Sequence, residues 1–308
     1  MKPAASGMLL RPSLLPVWLG VGFLWLLHWL PLPLQAALGN ALGWLLAMKP
    51  GKRRRVVAAN LALCFPDAPK ALRRRWLRQT FQASMRAVLE HGVLWWGSEA
   101  RLRRLVKIDN PEAALGDGVR PVIWLAPHFV GLDMGGVRLA MDHRAASMYA
   151  PAKDPVTDKF MLHGRSRFLP PTLASRGEGI KPALKALKDH LPFYYLPDQD
   201  HGRRNAVFVP FFGVPAATVS ALPRLARLTH AQVVPVITRQ LPGGRGYAVR
   251  FYPPWDNYPS DDAKAHTLTG FARMNAFIED RIREMPAQYL WLHRRFKTRP
   301  AGEPGLYE

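Results

Sequence analysis

The chain has 308 residues and one cysteine, Cys64. It is long enough to bury a full core, yet it can hold neither an intrachain disulfide nor a thiolate metal cluster of its own. A net charge of +21 at pH 7 points to a polyanionic partner: nucleic acid, an anionic membrane surface or an acidic protein.

The N-terminus discriminates among these. Leu14 to Leu30 is apolar except for His28 and carries Trp18, Trp25 and Trp29. Its 17 residues are at the short end for a spanning helix, which needs about 20. A second apolar run, Leu32 to Met48, contains Pro33, Gln35 and Asn40 and reads as an amphipathic helix lying on the bilayer or packed on the fold. Lys49, Lys52, Arg53, Arg54 and Arg55 follow; if the first helix spans, the positive-inside rule puts the body of the chain in the cytoplasm. Three other readings compete. A cleaved signal peptide lacks a small-residue cleavage site, a buried core helix sits poorly with the flanking charges and tryptophans, and a nucleic-acid patch leaves the preceding apolar residues unexplained. The expectation is a membrane-anchoring N-terminal helix within residues 1–48, followed by a single body over 49–308.

Val56 to Trp96 reads as helical. Phe81, Met85, Val88 and Leu89 form an apolar stripe beside the basic Arg73, Arg74, Arg75 and Arg78. That face is either an ordinary solvated surface or a contact for lipid headgroups or an acidic carrier protein.

From about residue 105 short apolar runs alternate with helical patterns. Val122–Leu125, Ala145–Ala150, Phe193–Leu196, Val233–Ile237 and Tyr247–Tyr252 read as strands. Gly131–Met141, Ile180–Asp189, Ser220–Thr229 and Leu268–Met285 read as helices. The pattern predicts an α/β fold, a mixed sheet flanked by helices. No P-loop or dinucleotide fingerprint occurs, and Gly243-Gly-Arg-Gly246 reads as a hairpin turn.

Within this region, Val122–Leu125 runs into Ala-Pro-His128, and Asp133 follows five residues later. Histidine takes a proton near neutral pH, and a carboxylate can fix its tautomer. On a regular helix two residues five apart point about 140° apart, so the pair can meet only with His128 before a helix and Asp133 in its first turn. Gly131, Gly135 and Gly136 would ease that turn. A hydrogen-bonded structural pair is the competing reading. Arg165, Arg167 and Arg176 lie in a region with few acidic partners and suit bidentate phosphate recognition. Asp198 and Asp200 follow the Phe193–Leu196 run and should emerge at a strand end, where open sheets place their sites. The aromatic stretch Val207–Gly213 reads most simply as core.

With these pieces in order, the chain resembles the late acyltransferases of lipid A biosynthesis, the lauroyl and myristoyl transferases within the lysophospholipid acyltransferase superfamily. The resemblance rests on Asn60-Leu-Ala-Leu-Cys-Phe-Pro66, the His128/Asp133 pair, Tyr149-Ala-Pro-Ala-Lys-Asp-Pro155, Tyr195-Leu-Pro-Asp-Gln-Asp-His-Gly202 and Val207-Phe-Val-Pro-Phe-Phe-Gly213. It departs at Asp133, where many members carry glutamate. It implies transfer of a lauroyl or myristoyl chain from acyl carrier protein to a hydroxyl of a Kdo-bearing lipid A precursor. The place would be the cytoplasmic face of a bacterial inner membrane, with no cofactor or metal. His128 would be the general base, oriented by Asp133. Arg165 would bind the phosphorylated acceptor or hold the oxyanion, with Asp198 or Asp200 in support. Three alternatives stay open. The first is the same dyad acting on a lysolipid, an ornithine lipid or a pigment precursor. The second is a non-catalytic basic binding protein, although no nucleic-acid fold motif is present. The third is a metal site from His128, Asp133, Asp200 and His201.

Overall fold

The computed structural model describes Leu9 and residues 11–175, 178–204, 206–258 and 266–307. Four helices come first: α1 (Leu15–His28), α2 (Leu32–Met48), α3 (Lys52–Cys64) and α4 (Lys70–Trp96). The stretch read as helical over Val56–Trp96 is thus divided between two helices. Pro66 and Pro69 interrupt it, and a proline disfavours helical geometry in the residue before it.

At 27 residues α4 is about 40 Å long and is the scaffold for the N-terminus. Of the three preceding helices, α1 and α2 lie against it where glycines permit close approach. A Cβ on Gly43 of α2 would stand 2.4 Å from the Gln82 Cα, and one on Gly92 of α4 would stand 2.3 Å from the Leu24 carbonyl oxygen of α1. Arg101 then ties the end of α1 down by donating to the carbonyls of His28 and Leu30.

No described helix is long and apolar enough to cross a membrane, so the spanning form of the anchor, one of the two left open for Leu14–Leu30, has no helix behind it. The physical reason is length: α1 has 14 residues, about 21 Å, against a hydrocarbon layer of about 30 Å, and the chain turns at Trp29 into Pro31. The outward faces of α1 and α2 are nevertheless apolar. Leu19, Leu26 and Trp29 are each more than 60% exposed, and Leu34, Trp44, Leu45 and Met48 continue the patch.

The rest is an α/β unit. After α5 (Glu99–Leu105) come β1 (Val106–Asp109), β2 (Val122–Leu125), α6 (Leu132–Leu139), β3 (Ala146–Tyr149), α7 (Pro155–Arg165), β4 (Thr172–Ser175), α8 (Lys181–Lys188) and β5 (Phe193–Tyr195). They are followed by β6 (Ala206–Phe211), β7 (Val214–Val219), α9 (Leu222–Thr229), β8 (Gln232–Gln240), β9 (Tyr247–Phe251) and α10 (His266–Glu284). Seven strands form one sheet in the order β1-β9-β8-β2-β5-β3-β4. It is mixed: β8 and β9 pair antiparallel across the Gly243–Gly246 turn, and every other pairing in it is parallel. β6 and β7 form a separate antiparallel hairpin.

Side chains alternate across β2 with the strand period of two. Ile123 and Leu125 join the core under α8, α9 and α10, while Val122 and Trp124 face the core built with α4 and α6. All four are buried. A central parallel strand covered on both faces needs such an unbroken apolar run.

Candidate active site

β2 lies between β8 and β5, and the chain leaves its carboxyl end through Ala126 and Pro127 to His128. Backbone hydrogen bonds fix this exit on both sides. The Ala126 N–H donates to the Tyr195 carbonyl at 2.9 Å, the Leu290 N–H to the His128 carbonyl at 3.0 Å, and the Val130 N–H to the Gln288 carbonyl at 2.8 Å. His128 therefore stands ahead of α6 on a clamped segment, with Asp133 in the first turn of that helix.

Its partner is not the expected one. Asp198, just past β5, has a fully buried carboxylate that accepts the His128 backbone N–H at 3.2 and 3.0 Å and faces Nδ1 at 2.7 Å. A carboxylate at this distance can only accept, so Nδ1 carries the proton and Nε2 is left as the basic nitrogen. Burial pushes the Asp198 carboxyl up, but the charge and hydrogen bonds of His128 outweigh it and hold it below the usual carboxylate range. The Tyr289 hydroxyl adds a further hydrogen bond to Asp198.

Asp133 sits in the first turn of α6, where a negative charge suits the helix dipole. Instead of orienting His128 it is held by Arg165 from the last turn of α7 and by His91 of α4. Arg165 places Nε at 3.2 Å and Nη2 at 2.7 Å from Oδ1, and His91 Nε2 lies 3.6 Å from Oδ2. Burial again raises the carboxyl, and the Arg165 charge together with His91 overcomes this and drives it well below its ordinary value. The physical reason for the exchange of partners is where α6 begins. With Leu132 as first residue, its opening turn faces α4 and α7, and the acid that reaches Nδ1 comes from β5.

The glycines around the motif also differ in role from the expectation. Gly131, Gly135 and Gly136 all have negative φ. Gly131 and Gly135 instead let α6 press on β8, since a Cβ on Gly135 would stand 1.9 Å from the Thr238 hydroxyl oxygen.

Arg165 closes α7, whose start is set by Asp154 accepting the Thr157 N–H at 2.8 Å with Pro155 behind it. Its guanidinium also lies over the Tyr149 ring at 5.7 Å. Arg167, expected to bind substrate, spends its donors on the Leu94 and Gly97 carbonyls at 2.7 and 2.6 Å, satisfying the end of α4. Asp200, also expected there, is buried and accepts from the Gly202 N–H and from the Thr298 N–H and hydroxyl, which pins the C-terminal segment. Its own N–H donates to His293 Nε2, and burial presses that histidine down to about 4. Arg176 lies outside the described residues. Among the described residues no three His, Cys, Asp or Glu side chains gather in a metal-binding group, so the metal reading of His128, Asp133, Asp200 and His201 has no geometry behind it.

A cavity of about 330 Å³ adjoins these groups. His128, Asp133 and Arg165 line it, each partly exposed, and so mark its opening. Trp124, Leu139, Ala140 and Ala146, all buried, line it further in. A polar opening on an apolar slot is the usual form of a site for a ligand with a reactive head and a hydrocarbon body. Two groups that hold the carboxylates, one on Asp133 and one on Asp198, went unread in the sequence. His91 sits within the helical run Leu89–Val93 like any core histidine, and Tyr289 had no motif around it.

One protein family, described as bacterial lipid A biosynthesis acyltransferase, matches residues 3–298. The chain is 36% identical to a lipid A biosynthesis lauroyltransferase of Escherichia coli (strain K12), over 99% of both chains. It is 32% identical to a lipid A biosynthesis palmitoleoyltransferase of the same organism, over 97% of this chain and 96% of the other. A myristoyltransferase of that pathway, also from Escherichia coli (strain K12), is 30% identical over 90% of this chain and 84% of its own length.

Proposed function

The chain belongs to the bacterial lipid A biosynthesis acyltransferase family and is an acyltransferase; from this premise we propose that it moves a lauroyl or myristoyl chain from acyl carrier protein to a hydroxyl of a Kdo-bearing lipid A precursor. The observation that carries the reading is the His128–Asp198 pair at the opening of an apolar cavity. Nε2 of His128 takes the acceptor's hydroxyl proton as the oxygen attacks the thioester carbonyl. The C–O bond forms, the C–S bond breaks, and the departing thiolate takes the proton back from the imidazolium. Asp198 holds the imidazole in the required tautomer and balances its charge while it is protonated. The acyl chain lies between α6 and β3, along Gly136, Ala140 and Ala146. Arg165 and Asp133 stand beside the reacting carbonyl, and Arg165 is the candidate to face the developing oxyanion or an acceptor phosphate.

The surroundings support such substrates. Both are anionic, and a protein of net charge +21 attracts them, so rates should fall with ionic strength. The exposed apolar faces of α1 and α2, beside Lys49, Lys52 and Arg53–Arg55, suit one leaflet of an anionic bilayer entered from its surface. On this reading residues 1–48 anchor the chain to the membrane surface and 49–308 are the catalytic body, on the cytoplasmic face of the inner membrane.

The test is transfer from lauroyl- and myristoyl-carrier protein to a Kdo-bearing tetra-acylated precursor, followed by mass. Wild type should add one acyl chain, and His128→Ala should fall by about 10³-fold, within the range for removing a general base. A folded His128→Ala enzyme that keeps a tenth of the activity would exclude His128 as the base. No mass gain with wild type and either donor would move the acceptor to another lipid.

A further inference from the structure

His91 belongs to neither the base nor its partner, yet both of its ring nitrogens are aimed at acceptors. Nδ1 lies 2.6 Å from the Ala87 carbonyl oxygen, one turn back along α4, and Nε2 lies 3.6 Å from Asp133 Oδ2. A carbonyl and a carboxylate both accept, so either neutral tautomer would set a lone pair against an oxygen; only the imidazolium offers N–H on both sides. The two oxygens of Asp133 are thus divided between two cations, Arg165 on Oδ1 and His91 on Oδ2. We propose that His91 is a positioning residue for acyl transfer: as an imidazolium it fixes the Asp133–Arg165 pair and leaves one net positive charge at the cavity opening beside His128.

The groups around His91 agree. On α4 itself Glu90 hydrogen-bonds to Arg86 and the Tyr247 hydroxyl while also interacting electrostatically with His91, and Trp95 stacks edge-on against the imidazole at 5.7 Å. From α6 comes Asp133 and from α7 Arg165, while Tyr194 of β5 interacts electrostatically with both Asp133 and Arg165. Burial works against the charged ring, but the Asp133 hydrogen bond and charge and the Ala87 carbonyl outweigh it, so the proton is held above the ordinary histidine range. A cluster of two cations and one anion meets the thioester carbonyl at the moment its oxygen becomes negative, where fixed charge accelerates the step. Loss of the His91 proton leaves the cluster neutral and frees one oxygen of Asp133 to pull Arg165 out of place. The role therefore lies in kcat and in its dependence on pH.

This inference rests on the acyl-transfer reading, and its test separates the two. Wild-type enzyme is assayed first with lauroyl-carrier protein and the Kdo-bearing precursor; absence of transfer there rejects the reading itself. Given transfer, wild-type kcat should decline at alkaline pH through an ionisation above the ordinary histidine value. In His91→Gln that limb should be absent, kcat at neutral pH lower by about tenfold, less than for loss of a direct oxyanion donor, and the donor KM within about twofold. An unchanged alkaline limb, or a pH-independent loss matched by a lower melting temperature, overturns the proposal. A second measurement needs no variant to fold: ring-labelled histidine spectra of wild type at pH 7.5 should contain an imidazolium signal, assigned to His91 by its absence from His91→Gln or, should that variant not fold, by its loss in Asp133→Asn. A spectrum with every ring neutral contradicts it.

Discussion

Two carboxylates near the cavity have opposite surroundings. Asp198 is wholly buried and is held by His128, through both its backbone and Nδ1, with the Tyr289 hydroxyl adding one more hydrogen bond. Asp133 is about a third exposed and is divided between Arg165 and His91. Each is held below its normal titration range, but for different ends: one sets the tautomer of a base, the other organises positive charge. Closeness in sequence did not decide which was which. Asp133 is five residues from His128 and Asp198 is seventy, yet it is the distant one that makes the bond.

Substitutions should pull the two apart. Asp198→Asn should have the larger effect. The amide preserves shape but can turn its NH₂ toward Nδ1, which favours the tautomer with the proton on Nε2, and kcat should fall by about 10³-fold or more, as when an orienting aspartate is lost from a triad. Purified enzyme with intact circular dichroism and steady-state kinetics would check it; a loss under tenfold would break the comparison. Asp133→Asn should cost less, about 10²-fold, because Arg165 remains nearby although unpaired and less well placed. It should also abolish the alkaline decline attributed to His91, since without the anion the His91 proton is no longer held. The sign follows from the raised value: His91 keeps its stabilising charge below its ordinary range and loses it as pH rises through the elevated one. Chemical denaturation at neutral and alkaline pH should accordingly find a smaller difference between wild type and Asp133→Asn at the alkaline end. The smallest effect should follow from Gly136→Leu. A Cβ there meets only the Tyr194 ring at 3.6 Å, and the added side chain narrows the cavity without touching either carboxylate. Competition between donors should shift toward shorter chains by about tenfold, the scale of a methylene or two in an apolar slot, with kcat for the best donor little changed.

Much of the sheet was readable because its inner strands obey a simple rule. β2, β5, β8 and β9 are apolar runs bounded by turn residues, and α6, α8, α9 and α10 lie within a few residues of where the pattern put them. The edges were harder. β1 (Val-Lys-Ile-Asp) and β4 (Thr-Leu-Ala-Ser) mix polar and apolar residues and lie at the two margins of the sheet, where burial does not impose a pattern. The β6–β7 hairpin was hidden by its own turn. Phe211 pairs with Val214, which leaves Phe212-Gly213 as a two-residue loop with φ of 51° and 77°. Such a loop needs positive φ at both positions, and a phenylalanine in the first is not the residue that signals it. In the site, His128 and the strand end carrying Asp198 could be read, because a histidine and a carboxylate after apolar strands have few other uses. The pairing could not, since it depends on β2 and β5 being neighbours, and no spacing encodes that.

The central claim is that Asp198, and not Asp133, holds the Nδ1 proton of His128. The direct measurement is the low-field proton resonance of that Nδ1–H by nitrogen-edited NMR, in wild type, Asp198→Asn and Asp133→Asn. The signal should be present in wild type, persist in Asp133→Asn and disappear or move far upfield in Asp198→Asn. Persistence in Asp198→Asn with loss in Asp133→Asn would return the pairing to the neighbour in sequence and contradict the account.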